Sequence, residues 1–141
     1  MGEQAEYRWR GPVTDAEMVE LVGAHGGRAA PGWWDRVRPH SLGWVTARLG
    51  SGELIGFVNV AWAGGDHAFL IDTKVASAWQ RRGIATGIVA LAARRAGAAG
   101  CEWLHVDFED RLAPFYFGAC GFRPTATGLI HLPALAATGC H

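Results

Sequence analysis

The sequence predicts a single α/β domain, residues 1–141, built on a mixed and mostly antiparallel sheet with about four helices. Three observations carry that prediction. Residues 44 to 75 hold three apolar runs separated by glycine-bearing turns, the pattern of an antiparallel meander. Residues 71 to 108 then read strand, helix, strand, and such a crossover joins parallel strands. The chain is also half hydrophobic and only 18% charged, which is enough apolar surface for one core and too much for disorder.

Taken in order, Tyr7-Arg8-Trp9-Arg10 alternates as a first strand, and Gly11-Pro12 ends it. Thr14 with Glu17 has the spacing of a capping box, so a helix starts there, with Met18, Leu21 and Val22 as its apolar face and Gly26-Gly27 as its stop. Pro31-Gly32 opens a short helix carrying Trp33, Trp34 and Val37, closed by Pro39. Trp44–Leu49, Leu54–Trp62 and His67–Val75 are the meander, turning at Gly50-Ser51-Gly52-Glu53 and Gly64-Gly65-Asp66. A helix from Ile84 to about Ala98 places Ile84, Ile88, Leu91 and Ala92 on one face. Glu102–Phe108 alternates as the strand after the crossover. Asp110 then caps a short helix over residues 111–120, and a final strand is expected near Gly128 to Leu132, with a frayed tail after Pro133.

Composition excludes several classes. The formal net charge is zero, with no basic stripe of the kind nucleic acids require. No apolar run reaches the roughly 18 residues of a membrane helix. The first ten residues lack the apolar stretch of a secretory leader. Cys101, Cys120 and Cys140 are odd in number and have no C-x-x-C spacing, which suits a reducing cytoplasm and speaks against a zinc site. A cytoplasmic domain with no metal, no nucleic-acid partner and no membrane partner is the expectation.

The chemistry centres on Gln80-Arg81-Arg82-Gly83-Ile84-Ala85, between a strand and a helix. The first N–H groups of a helix have no internal acceptor, and its dipole puts partial positive charge there. A glycine lets the backbone close on an anion, and arginines add formal charge. These residues describe a pocket for a phosphorylated ligand. The G-x-G-x-x-G and Walker patterns are both absent.

The run Val75-Ala76-Ser77-Ala78-Trp79-Gln80-Arg81-Arg82-Gly83-Ile84-Ala85 resembles the acetyl-CoA motif of the GNAT superfamily of N-acetyltransferases. Gln80, Gly83 and Ala85 fill that motif's fixed positions, and Trp79 fills the usual aromatic one. Phe115–Phe122 resembles the family's closing aromatic helix and Gly-Phe pair, and the element order matches over residues 5 to 132. The resemblance implies a GNAT fold in which the strands on either side of the crossover, central parallel strands, splay apart. Acetyl-CoA would lie in that V as co-substrate. Its pyrophosphate would sit on the N–H groups of Arg81, Arg82, Gly83, Ile84, Ala85 and Thr86, and its pantetheine arm would pair with Thr73, Lys74 and Val75. An anion that wants a helix terminus and an arm that wants a strand edge agree with the residues themselves.

The match has departures. Ser77 stands where proline is common, and Ala85 where glycine is. Asp110, counted with the cofactor-binding residues, stands where many members have asparagine. Many members place a tyrosine four residues before the Gly of Gly-Phe, where it protonates the departing thiolate. Four before Gly121 is Phe117, and Tyr116 is one residue earlier. Either the helix carries an extra residue that still brings Tyr116 to the sulfur, or the acid is missing.

Amine acetylation needs a positioned amine, a base, an oxyanion donor and an acid for the thiolate. Tyr116 is the acid candidate, and the base candidates are His67 and Asp72 on one strand and His105 and Asp107 on the other, with Glu109 just beyond. His105 and Asp107 share one strand face; facing the cleft they would be the best pair, and facing a helix they would be a buried polar pair. Asp72 reads equally as a structural partner of a neighbouring backbone or arginine, and His67 as a solvated turn residue. The function expected is transfer of acetyl from acetyl-CoA to a small-molecule or peptide amine by direct attack, with homodimerisation possible. The alternative is an acyl-CoA sensor of the same fold without turnover.

Overall fold

A computed structural model gives the fold and describes residues 4–137, so Cys140 lies outside the described residues. Five strands, β1 (Glu6–Trp9), β2 (Ser41–Arg48), β3 (Leu54–Trp62), β4 (His67–Val75) and β5 (Trp103–Val106), form one sheet in that order. The pairs β1–β2, β2–β3 and β3–β4 are antiparallel, and β5 is parallel to β4. The helices are α1 (Asp15–His25), α2 (Trp33–Val37), α3 (Ile84–Ala98) and α4 (Leu132–Ala137). Short hairpin turns can only return the chain antiparallel, whereas α3 carries it back to the starting end of the sheet and so sets β5 parallel.

The two faces of the sheet are covered differently. α3 buries Ile84, Ile88, Val89, Ala92 and Ala96 against Val45, Ala47, Val58, Val60, Ala68 and Leu70. It comes close because residue 56 is glycine: a Cβ there would stand 2.6 Å from Ile88 Cδ1. On the other face Met18 and Leu21 of α1 and Trp34 of α2 pack on Leu54, Phe57 and Ala76. Adjacent strand residues point to opposite faces, so Gly56 toward α3 and Phe57 toward α1 and α2 is what the pleat dictates.

Helix α1 starts as its sequence says. Thr14 Oγ1 accepts from the Glu17 N–H at 3.1 Å, and Glu17 Oε1 accepts from the Thr14 N–H at 3.0 Å. Glu17 does a second job. Arg48 donates to both its carboxylate oxygens, at 2.6 and 3.0 Å, and to the carbonyls of Gly52 and Pro12. One guanidinium thus ties the start of α1 to the β2–β3 turn, and its hydrogen bonds hold the Glu17 carboxyl below its ordinary value. Asp15 also reaches across, accepting from the N–H groups of Gly32 and Trp34. It caps α2, whose own N-cap Gly32 has no side chain to do so.

Several expected elements differ. β1 stops at Trp9, because Arg10 turns left-handed at φ 56 and its guanidinium binds the Leu42 carbonyl. β5 ends at Val106, two residues short of the expected strand, for the reason given below. The final strand near Gly128 to Leu132 does not form. Residues 121–131 are neither helix nor strand, and Leu129 and Ile130 are 86% and 68% exposed. A strand gains its stability from a neighbouring edge and not from its own residues. As far as Ala137 the alanine-rich run adopts α4, with Pro133 tolerated in its first turn, and the rest of the expected frayed tail lies outside the described residues. Asp110 opens a single 3-10 turn (Asp110–Leu112) and caps nothing with its side chain.

The Glu17 arrangement makes a two-part prediction. Thr14→Ala should lower stability by about 1 kcal/mol, read by urea unfolding, and Glu17→Gln should cost more because two partners lose a charge. Glu17's folded pKa is depressed, so its contribution is full above the unfolded value and fades as pH falls through the folded one. The gap between wild type and Glu17→Gln should therefore close on acidification and stay constant from neutral pH upward.

Candidate active site

β4 and β5 pair only from His67 opposite Trp103 to Leu70 opposite Val106. Beyond that the strands part, and residues 71–75 have no neighbour on the β5 side. The cause lies within β4. Phe57 faces Lys74 and Asn59 faces Ile71, so Val58 alone stands opposite both Asp72 and Thr73. This is a β-bulge, and Asp72 takes it up with a left-handed φ of 59. A bulge bends and twists its strand, which pulls β4 away from β5 and ends β5 early.

The freed edge is oriented. The Ala76 N–H bonds to the Ile55 carbonyl on one side of the Gly56–Val75 pair. Antiparallel alternation then turns the Val75 N–H and C=O away from β3, into the fork. Gln80 Nε2 donates to that carbonyl at 3.2 Å, and His25 Nδ1 sits 3.0 Å from it. The end of α1 and the arginine-rich turn are thus both anchored on Val75, with its N–H left facing the fork.

The turn itself carries two left-handed residues, Arg81 at φ 62 and Gly83 at φ 80. Gly83 is the N-cap of α3 and offers no side chain, and the first intrahelical bond runs from the Gly87 N–H to the Gly83 carbonyl. The N–H groups of Ile84, Ala85 and Thr86 therefore have no helical acceptor, at the positive end of a 15-residue helix. Arg82 lies over the Trp79 ring with its Cζ 4.8 Å from the centroid. Thr86 also begins a groove of about 230 Å³ that runs along Ala90 and Ala93 of α3, with Leu104, Cys120 and Phe122 opposite. Burial pushes the Cys120 thiol up, so it sits there as a neutral apolar wall.

Tyr116 sits where the backbone takes up an extra residue. Residues Pro114–Ala119 form a π-helix, with the Cys120 N–H on the Phe115 carbonyl and the Phe122 N–H on the Tyr116 carbonyl. The wider turn absorbs one extra residue. Tyr116 consequently points inward at 6% exposure while Phe117 is 38% exposed. Tyr116 stacks on Phe108 at 4.5 Å and lies against the Thr73 side chain at the bulge. Burial raises its phenol above the ordinary value, and the Thr73 hydrogen bond works in the opposite direction.

The base candidates separate. Asp72 forms a loose ion pair with Lys74 at 3.8 Å, and Lys74 Nζ lies 5.7 Å over the Trp33 ring. Both therefore stand at the fork beside Thr73 and Tyr116. His105 is on the sheet face that α3 does not cover, stacked on Phe69 at 4.8 Å. Its Nε2 is 2.6 Å from His67 Nδ1. His67 is thus the first residue of β4 and not a turn residue, exposed but in a defined contact. Asp107 follows β5 and is exposed, as is Asp110 further on. Sequence reading passed over His25 as a site residue, and it weighed His67 as a base and Trp33 as a substrate wall without placing either. The crossover register, which sets His67 beside Trp103, was the one signal for the histidine pair. Among the described residues, no cluster of three or more metal-binding side chains occurs, and no helix is long and apolar enough to cross a membrane.

Comparison with known proteins agrees with this geometry. The model of the acetyltransferase (GNAT) family matches residues 10–122. No curated protein matches the chain in sequence. Among solved structures, an acetyltransferase of Trypanosoma brucei superposes with a TM-score of 0.75 at 18% identity, over 90% of this chain and 98% of that one. Glucosamine-6-phosphate N-acetyltransferase of Arabidopsis thaliana gives 0.70 at 14% identity, over 89% and 97%. A GNAT family N-acetyltransferase of Escherichia coli, solved in complex with CoA, gives 0.69 at 16%, over 84% and 69%. At these identities the likeness is one of fold.

The chain has two tyrosines, and burial raises both Tyr7 and Tyr116. Absorbance titration of the folded protein should show no phenolate forming at the ordinary pH of about 10. Both should ionise above it, and Tyr116→Phe should remove one of the two late steps.

Proposed function

The chain belongs to the GNAT acetyltransferase family, and on that premise we propose that it transfers an acetyl group from acetyl-CoA to a small-molecule or peptide amine by direct attack. The observation that carries this reading is the fork. An unpaired β4 edge leads straight to an uncapped helix terminus flanked by arginines. That sequence of groups suits the two halves of coenzyme A, a peptide-like arm and a diphosphate. The arm would run along Thr73, Lys74 and Val75, with Gln80 holding the Val75 carbonyl. The diphosphate would take the N–H groups from Arg81 to Thr86.

The thioester would then lie at the bulge, between Asp72, Thr73 and Tyr116. The amine nitrogen attacks the carbonyl carbon, the carbonyl oxygen gains charge, and the carbon–sulfur bond breaks as the tetrahedral species collapses. A phenol kept neutral by burial is ready to hydrogen-bond to the sulfur and protonate the thiolate as it leaves. The inward placement of Tyr116 favours turnover over a sensor role. Asp72, His105 and Asp107 remain the groups that can take the amine's proton.

Binding is tested apart from folding by Arg81→Gly. The replacement removes a left-handed non-glycine residue, so the melting temperature should hold or rise. Loss of a charged donor should weaken CoA binding roughly tenfold to a hundredfold, by calorimetry. Turnover is tested by thiol release from acetyl-CoA with a panel of amines. Tyr116→Phe should lower kcat by roughly a hundredfold or more with little change in the KM for acetyl-CoA. Wild-type protein that binds CoA but releases no thiol with any amine would leave the sensor reading standing.

A further inference from the structure

The pair His67–His105 has no part in the donor site, and it lies one step from the fork. Residue 105 precedes Val106, the last β5 position paired with β4. At a rise of about 3.3 Å per residue the ring is within two residues of where the strands part. Ala68 and Leu70 are buried under α3. Alternation therefore puts His67, Phe69 and Ile71 on the opposite face, where Phe69 and Ile71 are 44% and 40% exposed. His105 shares that open face, and Phe69 stacked at 18° fixes its ring plane. An amine approaching the thioester from the face α3 leaves open passes this ring.

We propose that His105 is the base of the reaction and that His67 is its positioning residue. This rests on the acetyltransferase reading above. The 2.6 Å contact has one nitrogen of each ring, so one ring donates and the other accepts. With His105 Nε2–H donating to His67 Nδ1, the tautomer of His105 is set and its Nδ1 lone pair is open. A proton leaves the acceptor nitrogen, is relayed through a short chain of waters, and bonds to His105 Nδ1. The nitrogen keeps the electron pair with which it attacks. The imidazolium so formed is stabilised because its Nε2–H already meets a neutral acceptor, a charge-assisted hydrogen bond. It returns the proton to water after the product leaves, so the pair is unchanged over a cycle. The charged groups around it are Asp66 before β4, Asp72 at the bulge, Glu102 and Asp107 flanking β5, and Arg123, whose guanidinium lies over Trp103.

The experiment uses the whole chain, acetyl-CoA and a panel made of an arylalkylamine, a polyamine, an aminoglycoside and a short peptide with a free N-terminus, with thiol release as readout. His105→Ala should lower kcat/KM roughly a hundredfold or more near neutral pH. Added imidazole should restore part of it, since the vacated place on Phe69 fits that ring. The deficit should shrink as pH rises, because more of the amine arrives unprotonated. His67→Leu should lower kcat about tenfold at unchanged KM for acetyl-CoA, as loss of one charge-assisted hydrogen bond does, and His67→Gln, which keeps an acceptor, should recover most of it. CoA binding by calorimetry checks that each variant is folded, and His105→Gln serves if the alanine variant is not. Wild-type rates in folded His105→Ala or His105→Gln with an active wild type would overturn the proposal and leave the acetyltransferase reading intact. CoA binding without thiol release by wild type for every amine would overturn both.

Discussion

Asp72 holds a left-handed backbone in the middle of β4, and the site follows from it. A regular strand would keep its register with β3 and its pairing with β5 to the end. It would then have no free edge and no room beside it. The extra residue at Asp72–Thr73 bends β4 out of the sheet after Leu70 and returns Lys74 to the same face as Phe57. A non-glycine residue in this conformation costs on the order of 1 kcal/mol. The buried neighbours Val58, Leu70 and Val75 on either side hold the strand in place against that cost.

Two other departures from regular backbone face the same fork. Arg81 and Gly83 are left-handed where the chain turns into α3, and Pro114–Ala119 winds as a π-helix where it passes behind β5. The first strips α3 of a side-chain cap and leaves its terminal N–H groups facing outward. The second turns Tyr116 inward onto Thr73. Elsewhere Arg10 ends β1 and irregularities interrupt the β2–β3 register near Leu42 and Arg48, away from the fork. Here three irregularities on three separate elements converge on one cleft, which is how strain gathers at a functional site.

Much of this was legible in the sequence. The capping box, the meander, the crossover and the arginine-rich turn are local patterns, and each formed where its residues said it would. Long-range geometry was not legible. The bulge leaves no mark on residues 71 to 75 that an ordinary strand would lack. The π-turn shows only as a tyrosine one place out of register, and a count alone could not tell an inserted residue from a lost acid. The strand expected at Gly128 to Leu132 had the right residues but no edge to pair with. His67 looked like a turn residue because its partner lies 38 positions away, across the crossover.

The same distinction bears on the proposed function. There the donor side would be read by main-chain groups: the Val75 edge, and the N–H groups of a helix start. These persist through almost any substitution that keeps the bulge and Gly83, so a chain 18% identical can superpose at a TM-score of 0.75. The proposed acceptor side would be read by side chains on an open face. α1 and α2 cover only the Leu54 and Phe57 end of that face, held there by Asp15 and Arg48. What remains is Phe69, Ile71 and Trp103 around two histidines, the three apolar residues between 40% and 46% exposed. Nothing in the backbone requires those residues. Under the proposed function their selection would belong to the acceptor, and a floor of stacked rings beside an imidazole pair would suit an amine carried on a flat or apolar body better than one carried on a strongly charged body.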